Sequence, residues 1–343
     1  MTELQILPYT TGILVVWIIF IVTMERLFPY RKGVPLFREG FWVDLVWYTL
    51  IQSYFLRILI FEVIIVTLKA VFNWQPYQFL HNWSVTAQVL FFVVTHDFYI
   101  YWFHRFQHAN KYFWRTHEAH HSGKHVDFLQ GSRSHILEII INQTIEFAPI
   151  ILLGANPIVV PIKALLDAVF GIFIHANINV KLGKLKYFFN SPELHLWHHA
   201  NYQEVFHANF STKFSVWDYL FGTAYFPGHK PGNKRENWGL YYEYPKDYFV
   251  QHVFSIYRFD EKKLLENKWF KAYYNLRPNF LHLIERFVLK ITGKKIDLMP
   301  KTIEEADEEV HFINPEKVFN LEQPVYDFKL DDLRFLSESK SKA

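Results

Sequence analysis

HDFYIYWFHRFQHANKYFWRTHEAHHS, residues 96–122, begins inside an apolar run and ends in a crowd of histidines. On a helix, His104 and His108 lie four residues apart and share one face, which Asp97 and Tyr101 continue upward. His117, His120 and His121 follow at i, i+3 and i+4, so one helical turn turns three imidazoles to one side. The same HxxHH spacing returns in SPELHLWHHANY, residues 191–202, as His195, His198 and His199. Two such triplets can clasp a pair of metal ions between them. Imidazole suits zinc, copper, iron and nickel, so the spacing does not choose among them. A lone histidine is more often a surface or hydrogen-bonded residue than a ligand. Eight in three tight clusters are different, because their mutual repulsion when protonated is costly without a metal.

The flanking sequence says where these clusters sit. Residues 7–24 carry no charge over about 18 positions, the lower limit for a membrane-spanning helix at ~1.5 Å rise per residue. Glu3 stands where a signal peptide needs basic residues, and no small-residue cleavage site follows. A second apolar run, residues 42–72, is interrupted by Asp44, Arg57, Glu62 and Lys69, and reads as one tilted helix or a broken one. A third covers residues 84–103. The fourth and fifth, 136–153 and 157–174, flank the turn signal Gly154-Ala155-Asn156-Pro157 and form a hairpin that crosses a bilayer fully or part-way. Arg26, Arg31, Lys32 and Arg38 follow the first run, whereas residues 73–83 contain no Lys or Arg. Positive connections stay cytoplasmic, so the third helix returns to the cytoplasm where the histidines begin, and the hairpin starts and ends on that side.

The expected fold is therefore all-α: a polytopic membrane bundle of about four to five helices or half-hairpins, with a cytoplasmic helical cap carrying a dimetal site. Three regions follow: N-terminal membrane helices (1–83), a histidine-rich core (84–225), and a cap with a polar tail (226–343). Segments 248–257 and 279–291 suit cap or interfacial helices, and the acidic stretch 302–309 and the polar end 337–343 suit a loosely held tail. Composition narrows the function. The 343 residues are 51% hydrophobic and 20% charged, which excludes a disordered chain. A net charge of +3, dispersed along the chain, offers no nucleic-acid footprint. The absence of cysteine excludes disulfides, thiolate zinc sites, thiol nucleophiles and cysteine-ligated clusters. Of the 18 histidines, 13 lie between His96 and His207.

These residues resemble the fatty acid hydroxylase/sterol desaturase superfamily of integral-membrane, histidine-box di-iron oxygenases. The likeness rests on Asp97, Tyr101, Trp102, His104, Arg105 and His108, on HxxHHS from His117 to Ser122, and on HxxHH from His195 to His199. It continues through Asn209-Phe210 to Trp217-Asp218-Tyr219-Leu220-Phe221-Gly222-Thr223, so that residues 90–225 are covered. The resemblance implies two iron ions, O₂ as co-substrate, and electrons from an external NAD(P)H-linked carrier (a b-type cytochrome, or a ferredoxin and its reductase). It implies the ligands His104, His108, His117, His120, His121, His195, His198 and His199, with His175 in FIHANIN at a further ligand position. Asn179 stands where the family often has another histidine, and Asn177 or a water is an alternative filler.

The function expected is O₂-dependent hydroxylation or desaturation of a sterol or fatty-acyl lipid, at the cytoplasmic side of a bacterial inner membrane or endoplasmic reticulum. His96, eight residues and roughly 12 Å before His104, is read as supporting the ligands rather than joining them. Metal-bound imidazoles need partners for their other N–H. Asp97, Glu118 and Asp218 are the candidates, with Arg105 and Arg133 serving those carboxylates or meeting headgroups. His135 and Glu138 lie near the site in sequence, and His125, His135 and His207 also read as polar cap residues. His81, His229, His252, His282 and His311 read as surface, Tyr101 and Trp102 as packing or interfacial aromatics. Two other functions compete. Residues 117–121 match the H-E-x-x-H signature of zinc hydrolases, with Glu118 as general base. The other is a non-catalytic membrane protein that keeps its metal for stability or transport.

Overall fold

The computed structural model describes residues 3–256 apart from 76–77, 235–236, 241 and 243, and beyond them 268–269, 283–293 and 295. His282, His311 and the polar tail lie outside the described residues. The described chain is helical, without a β-strand; isolated bridges join Pro29 to Ile178 and Ala200 to Trp238.

Helix α1 (Glu3–Leu27) is apolar all round and lies on the outside of the molecule against α7. Its Val16 is 67% exposed and its Ile19 61%, an outward apolar surface that water disfavours. Among the described residues it is the one helix long and apolar enough to cross a bilayer unaided. The next run is one continuous rod, which answers the question the charged interruptions raised. Its pitch alternates between π-helical Val43–Gln52, α2 (Ser53–Ile58), π-helical Leu59–Ile65 and α3 (Val66–Val71). The widened π turns place Asp44, Tyr48 and Gln52 on the inner side, where all three are buried.

Helix α4 (Val85–Ala109) starts at Ser84, whose Oγ accepts from Ala87 N, and runs past the apolar residues into HxxxH. Asn110 ends it in an extended conformation and at once caps α5 (Lys111–His121) by accepting from Tyr112 N and Phe113 N. That single-residue joint folds HxxHH back against HxxxH. His135 caps α6 (Ile136–Leu152), and the chain reverses at Gly154, whose positive φ of 68° closes the turn into α7 (Val159–His175). At 17 residues each, these two helices span about 25 Å, less than the ~30 Å of a bilayer core. Helix α8 (Pro192–His198) begins on Ser191 with proline in its first turn; α9 (Val216–Leu220) and α10 (Tyr248–Ile256) follow.

The main apolar core joins the rod, α4, α6 and α7 through residues such as Leu56, Ile60, Phe92, Phe147 and Val159. At its histidine-bearing end, α5 packs on α4 and α8 on α7, while α10 closes over α5. One end of the bundle is thereby lined by four helix termini.

Candidate metal centre

Nine imidazoles converge at that end, all buried. His104 and His108 of α4, His117 and His121 of α5, and His198 of α8 form one pocket. His120 of α5, His175 at the end of α7, and His195 and His199 of α8 form a second. Within each, one ring nitrogen from every member lies within 4.8 Å of the others. The repeated HxxHH motif is used in opposite senses. In α5 the i, i+4 pair enters the first pocket and the i+3 residue the second; in α8 the pair enters the second and the i+3 residue the first. The pockets share a wall, with ring centroids of His121 and His199 4.6 Å apart and those of His117 and His120 4.8 Å apart.

What each ring does with its two nitrogens makes the case for a metal. In the first pocket, Nδ1 of His104 faces Phe210 O at 2.8 Å, that of His108 faces Phe206 O at 2.9 Å, and that of His198 faces Ala208 O at 2.8 Å. His117 Nδ1 meets Glu138 Oε1 at 3.0 Å. Carbonyl and carboxylate oxygens accept, so each Nδ1 carries the proton and each Nε2 is a bare lone pair. Those Nε2 atoms, with that of His121, are buried and have no hydrogen-bond partner among the described residues. The second pocket carries the same logic further. His120 Nδ1 donates to Arg133 O at 3.1 Å and His175 Nδ1 to Gly171 O at 2.7 Å, yet their Nε2 atoms face each other at 3.2 Å. His195 Nε2 lies 2.8 Å from His175 Nε2 and 3.2 Å from His199 Nε2. The lone pairs of His120 and His175, whose protons are committed at Nδ1, repel unless a cation lies between them. The donor set therefore fits metal ions, soft enough for imidazole and tied back as metal-bound histidines require.

Burial holds all nine rings neutral, and in every one but His104 the like charge of neighbouring imidazoles adds to the effect. His104 and His175 are lowered to about 4 and the other seven shift the same way. Because the folded pKa lies below the unfolded one, the unfolded chain takes up protons as pH falls below about 6.5. Metal-depleted protein is thus expected to hold full stability above pH 6.5 and lose it toward pH 4. The slope is about 1.4 kcal/mol per pH unit for each such histidine. Thermal unfolding of metal-depleted protein across that range checks this; stability that rises on acidification contradicts it.

The three carbonyls that hold His104, His108 and His198 come from a collar, residues 206–210. Asn209 makes it possible by adopting φ 59° and by donating Nδ2 to Leu194 O and Tyr225 O. Asp218 accepts from Phe210 N, Ser211 N and Thr223 Oγ1. Asp97 accepts from Thr212 Oγ1, Lys213 N, Phe214 N and Trp217 Nε1. These two carboxylates, expected on the imidazoles, instead organise the loop that holds them. The carboxylate that touches a ring of the nine is Glu138. Glu138→Gln is expected to weaken metal binding about 10–100-fold, the usual effect of losing such a partner, read by equilibrium dialysis.

Other expectations need correction. His96 turns away from the nine rings to join Lys163, whose Nζ lies 2.7 Å from His96 Nδ1 and 2.6 Å from Glu146 Oε1. Asn177 spends its side chain on the chain after α1, accepting from Arg31 N and donating to Arg31 O. Asn179 is exposed and its N–H bonds Phe28 O, so neither asparagine replaces a ligand. His135 bonds Leu137 N and His252 O, and stacks on His252 with centroids 4.6 Å apart. His252 is accordingly part of the packing, whereas His81 and His229 are exposed. His125 and His207 stand outside both groups. Glu118 accepts from Tyr242 OH at 2.6 Å. Arg105 donates to Tyr101 OH, which also bonds Thr223 Oγ1, and lies over the ring of Trp102.

Arg133 serves a carboxylate the sequence reading left in the apolar rod. Its Nε bonds Asp44 Oδ1 at 2.7 Å, and Arg38 bridges Asp44 to Asp127. This buried chain of two arginines and two aspartates, Arg133–Asp44–Arg38–Asp127, steadies the residue whose carbonyl holds His120. Nothing short of the fold pairs Asp44 with Arg133, although a charge inside an apolar run was the available signal. Trp114 was also unremarked; it packs 4.9 Å from His108 and 5.3 Å from His121, walling the first pocket.

Residues 89–223 match the family model described as fatty acid hydroxylase. An ornithine lipid hydroxylase of Rhizobium tropici is 28% identical over 214 residues, covering 60% of this chain and 64% of that protein. The alkylglycerol monooxygenase of Homo sapiens is 29% identical over 127 residues, 37% of this chain and 28% of that one. Methylsterol monooxygenase 1 of Rattus norvegicus is 27% identical over 155 residues, 44% and 50% respectively. The chain thus spans less than two thirds of the length of each of these relatives. No solved structure matches.

Proposed function

From the premise that residues 89–223 are a fatty acid hydroxylase domain, we propose that the chain is a membrane-bound, O₂-dependent lipid hydroxylase whose nine imidazoles hold two iron ions. The observation that carries the proposal is the convergence of ring nitrogens from nine buried imidazoles in two pockets, five of them Nε2 atoms without a partner among the described residues, while six of the rings are tied back through Nδ1. His104, His108, His117, His121 and His198 hold one ion, and His120, His175, His195 and His199 the other. When bound, the two irons supply the O₂ activation and C–H cleavage that acid–base side chains lack.

The protein's own work is geometric and electrostatic. The collar carbonyls and Arg133 O fix ring orientation through Nδ1–H, and Glu138 Oε1 does the same for His117. An all-imidazole set adds no further negative charge, so the centre stays cationic and readily reduced. Tyr101, Trp114 and Phe210 exclude water around the first pocket. The overall balance is one lipid C–H, O₂, two electrons and two protons giving an alcohol and water. The electrons come from a separate carrier, a b-type cytochrome or a ferredoxin with its reductase.

The relatives' names support hydroxylation over desaturation and a lipid bearing an acyl, alkyl or sterol chain. We place the pockets at the cytoplasmic boundary, with α1 spanning the bilayer and the rod, α4 and the α6–α7 hairpin completing a bundle. The divisions 1–83, 84–225 and 226–343 belong to this same reading. A zinc hydrolase built on residues 117–121 is not favoured. His117 and His121 share their pocket with three further imidazoles, and Glu118 is engaged by Tyr242. Lipid profiling of a host with and without the gene, grown under isotopically labelled O₂, tests the proposal. A lipid that gains one labelled oxygen supports it; an unchanged lipid profile counts against it.

A further inference from the structure

Residues 181–188, KLGKLKYF, leave α7 and turn through a short 3₁₀ helix, Gly183–Tyr187. Lys181, Lys184, Leu185, Tyr187 and Phe188 are exposed, with Leu185 at 60%. The loop is not loosely hung. Ser215 Oγ donates to Lys186 O at 2.6 Å, Asn190 N donates to Lys213 O at 2.8 Å, and Phe188 packs on Phe214. Its apolar side chains are thus held outward by fixed backbone, an arrangement that costs free energy in water unless something covers them.

Position and charge say what covers them. The loop is joined to the end of α1, where Asn179 N bonds Phe28 O at 2.8 Å and Pro29 bridges Ile178. Leu27 and Phe28 are 61% and 58% exposed, so an apolar surface continues from the helix that can span a bilayer to the loop beside its end. Between Ala176 and Pro192 there are three lysines and no acidic residue. Burial lowers the Lys230 pKa, Glu193 opposes that shift, and the nearby charges of Lys181 and Lys32 add to it, so both of those ammonium groups lie within electrostatic reach of Lys230. Aromatic and aliphatic side chains interleaved with lysines, level with a helix end, match the chemistry of a headgroup layer.

We propose that residues 181–188, with Lys32 and Lys230, form a membrane-interface anchor. Leu185, Tyr187 and Phe188 enter the leaflet in which α1 ends, and the lysines bind anionic lipid phosphates. The proposal rests on α1 spanning the bilayer but not on the metal or the reaction. Because the loop follows His175 by six residues, the anchor also fixes the second pocket's height above the lipid.

The chain has no cysteine, so single nitroxide labels can be introduced cleanly. The full chain is reconstituted in nanodiscs of phosphatidylcholine with or without phosphatidylglycerol, labelled at Leu185→Cys, Val16→Cys or Glu204→Cys. Collision with O₂ is compared with collision with a nickel chelate. The Val16 and Leu185 labels are expected to favour O₂ and the Glu204 label the chelate. Phosphatidylglycerol should draw the Leu185 label deeper, and K181A/K184A/K186A should abolish that response. A Leu185 label as wet as that at Glu204, with Val16 in lipid, overturns the anchor and leaves the spanning helix intact. A Val16 label in water overturns both. An immersed Leu185 label indifferent to phosphatidylglycerol and to the lysines overturns the anionic-lipid assignment, as does protection that arises only on adding an acidic soluble protein.

Discussion

His199→Ala is expected to lower bound metal from two ions per chain to about one and to abolish lipid hydroxylation. The second pocket has four imidazoles, and this change leaves three, with His175, His120 and His195 still facing one another. The first pocket has five, so His104→Ala leaves four and should retain more metal than His199→Ala. On the proposed two-iron reading turnover uses both ions, and His199→Ala should lose at least 100-fold in activity, about 2.7 kcal/mol of barrier. Helical content should hardly change, because in the metal-free protein His199 is a buried ring whose Nδ1 has no partner among the described residues. Metal analysis beside circular dichroism separates loss of a ligand from loss of fold. Equal metal loss in both variants would contradict the two-pocket assignment.

Asp97→Ala is expected to do something different: destabilise the whole protein. Asp97 is fully buried and takes four hydrogen bonds, with Lys213 Nζ a further 3.7 Å away. Removing it strands two backbone N–H groups, an indole N–H and a hydroxyl, and unbalances a buried ammonium. Breaking such a buried charged site costs about 3–5 kcal/mol, a large part of a typical domain's stability. Asp97→Asn should fare little better, since its amide brings a donor to a position ringed by donors. Thermal unfolding checks both variants; an unfolding midpoint within about 2 °C of the parent would contradict the role given to Asp97.

These expectations show which parts of the molecule sequence reasoning could reach. Eight of the nine ligand candidates were legible because helical spacing turns HxxxH and HxxHH into faces, and faces need only the local backbone; His175 lies outside those motifs and came from the family resemblance alone. The all-α character was legible for the same reason. Which pocket each histidine enters was not, because α5 and α8 use one motif in opposite senses, and only their packing across α4 and α7 reveals it. Asp97 and Asp218 drew notice as buried carboxylates, but their partners are backbone N–H groups of a loop over 100 residues from Asp97. Asp44 and Arg133 were beyond reach, since nothing local pairs a rod residue with one before α6. The membrane helices were read by apolarity, which α1 satisfies in full, whereas α6 and α7 are short and keep polar residues such as Glu146 and Lys163 inside.

The most direct test of the paired centre is Mössbauer spectroscopy of the full chain loaded anaerobically with isotopically enriched iron. Two irons per chain in two distinguishable environments, one from five imidazoles and one from four, are the predicted result. A single environment holding one ion per chain, or no retained iron at all, would contradict the account.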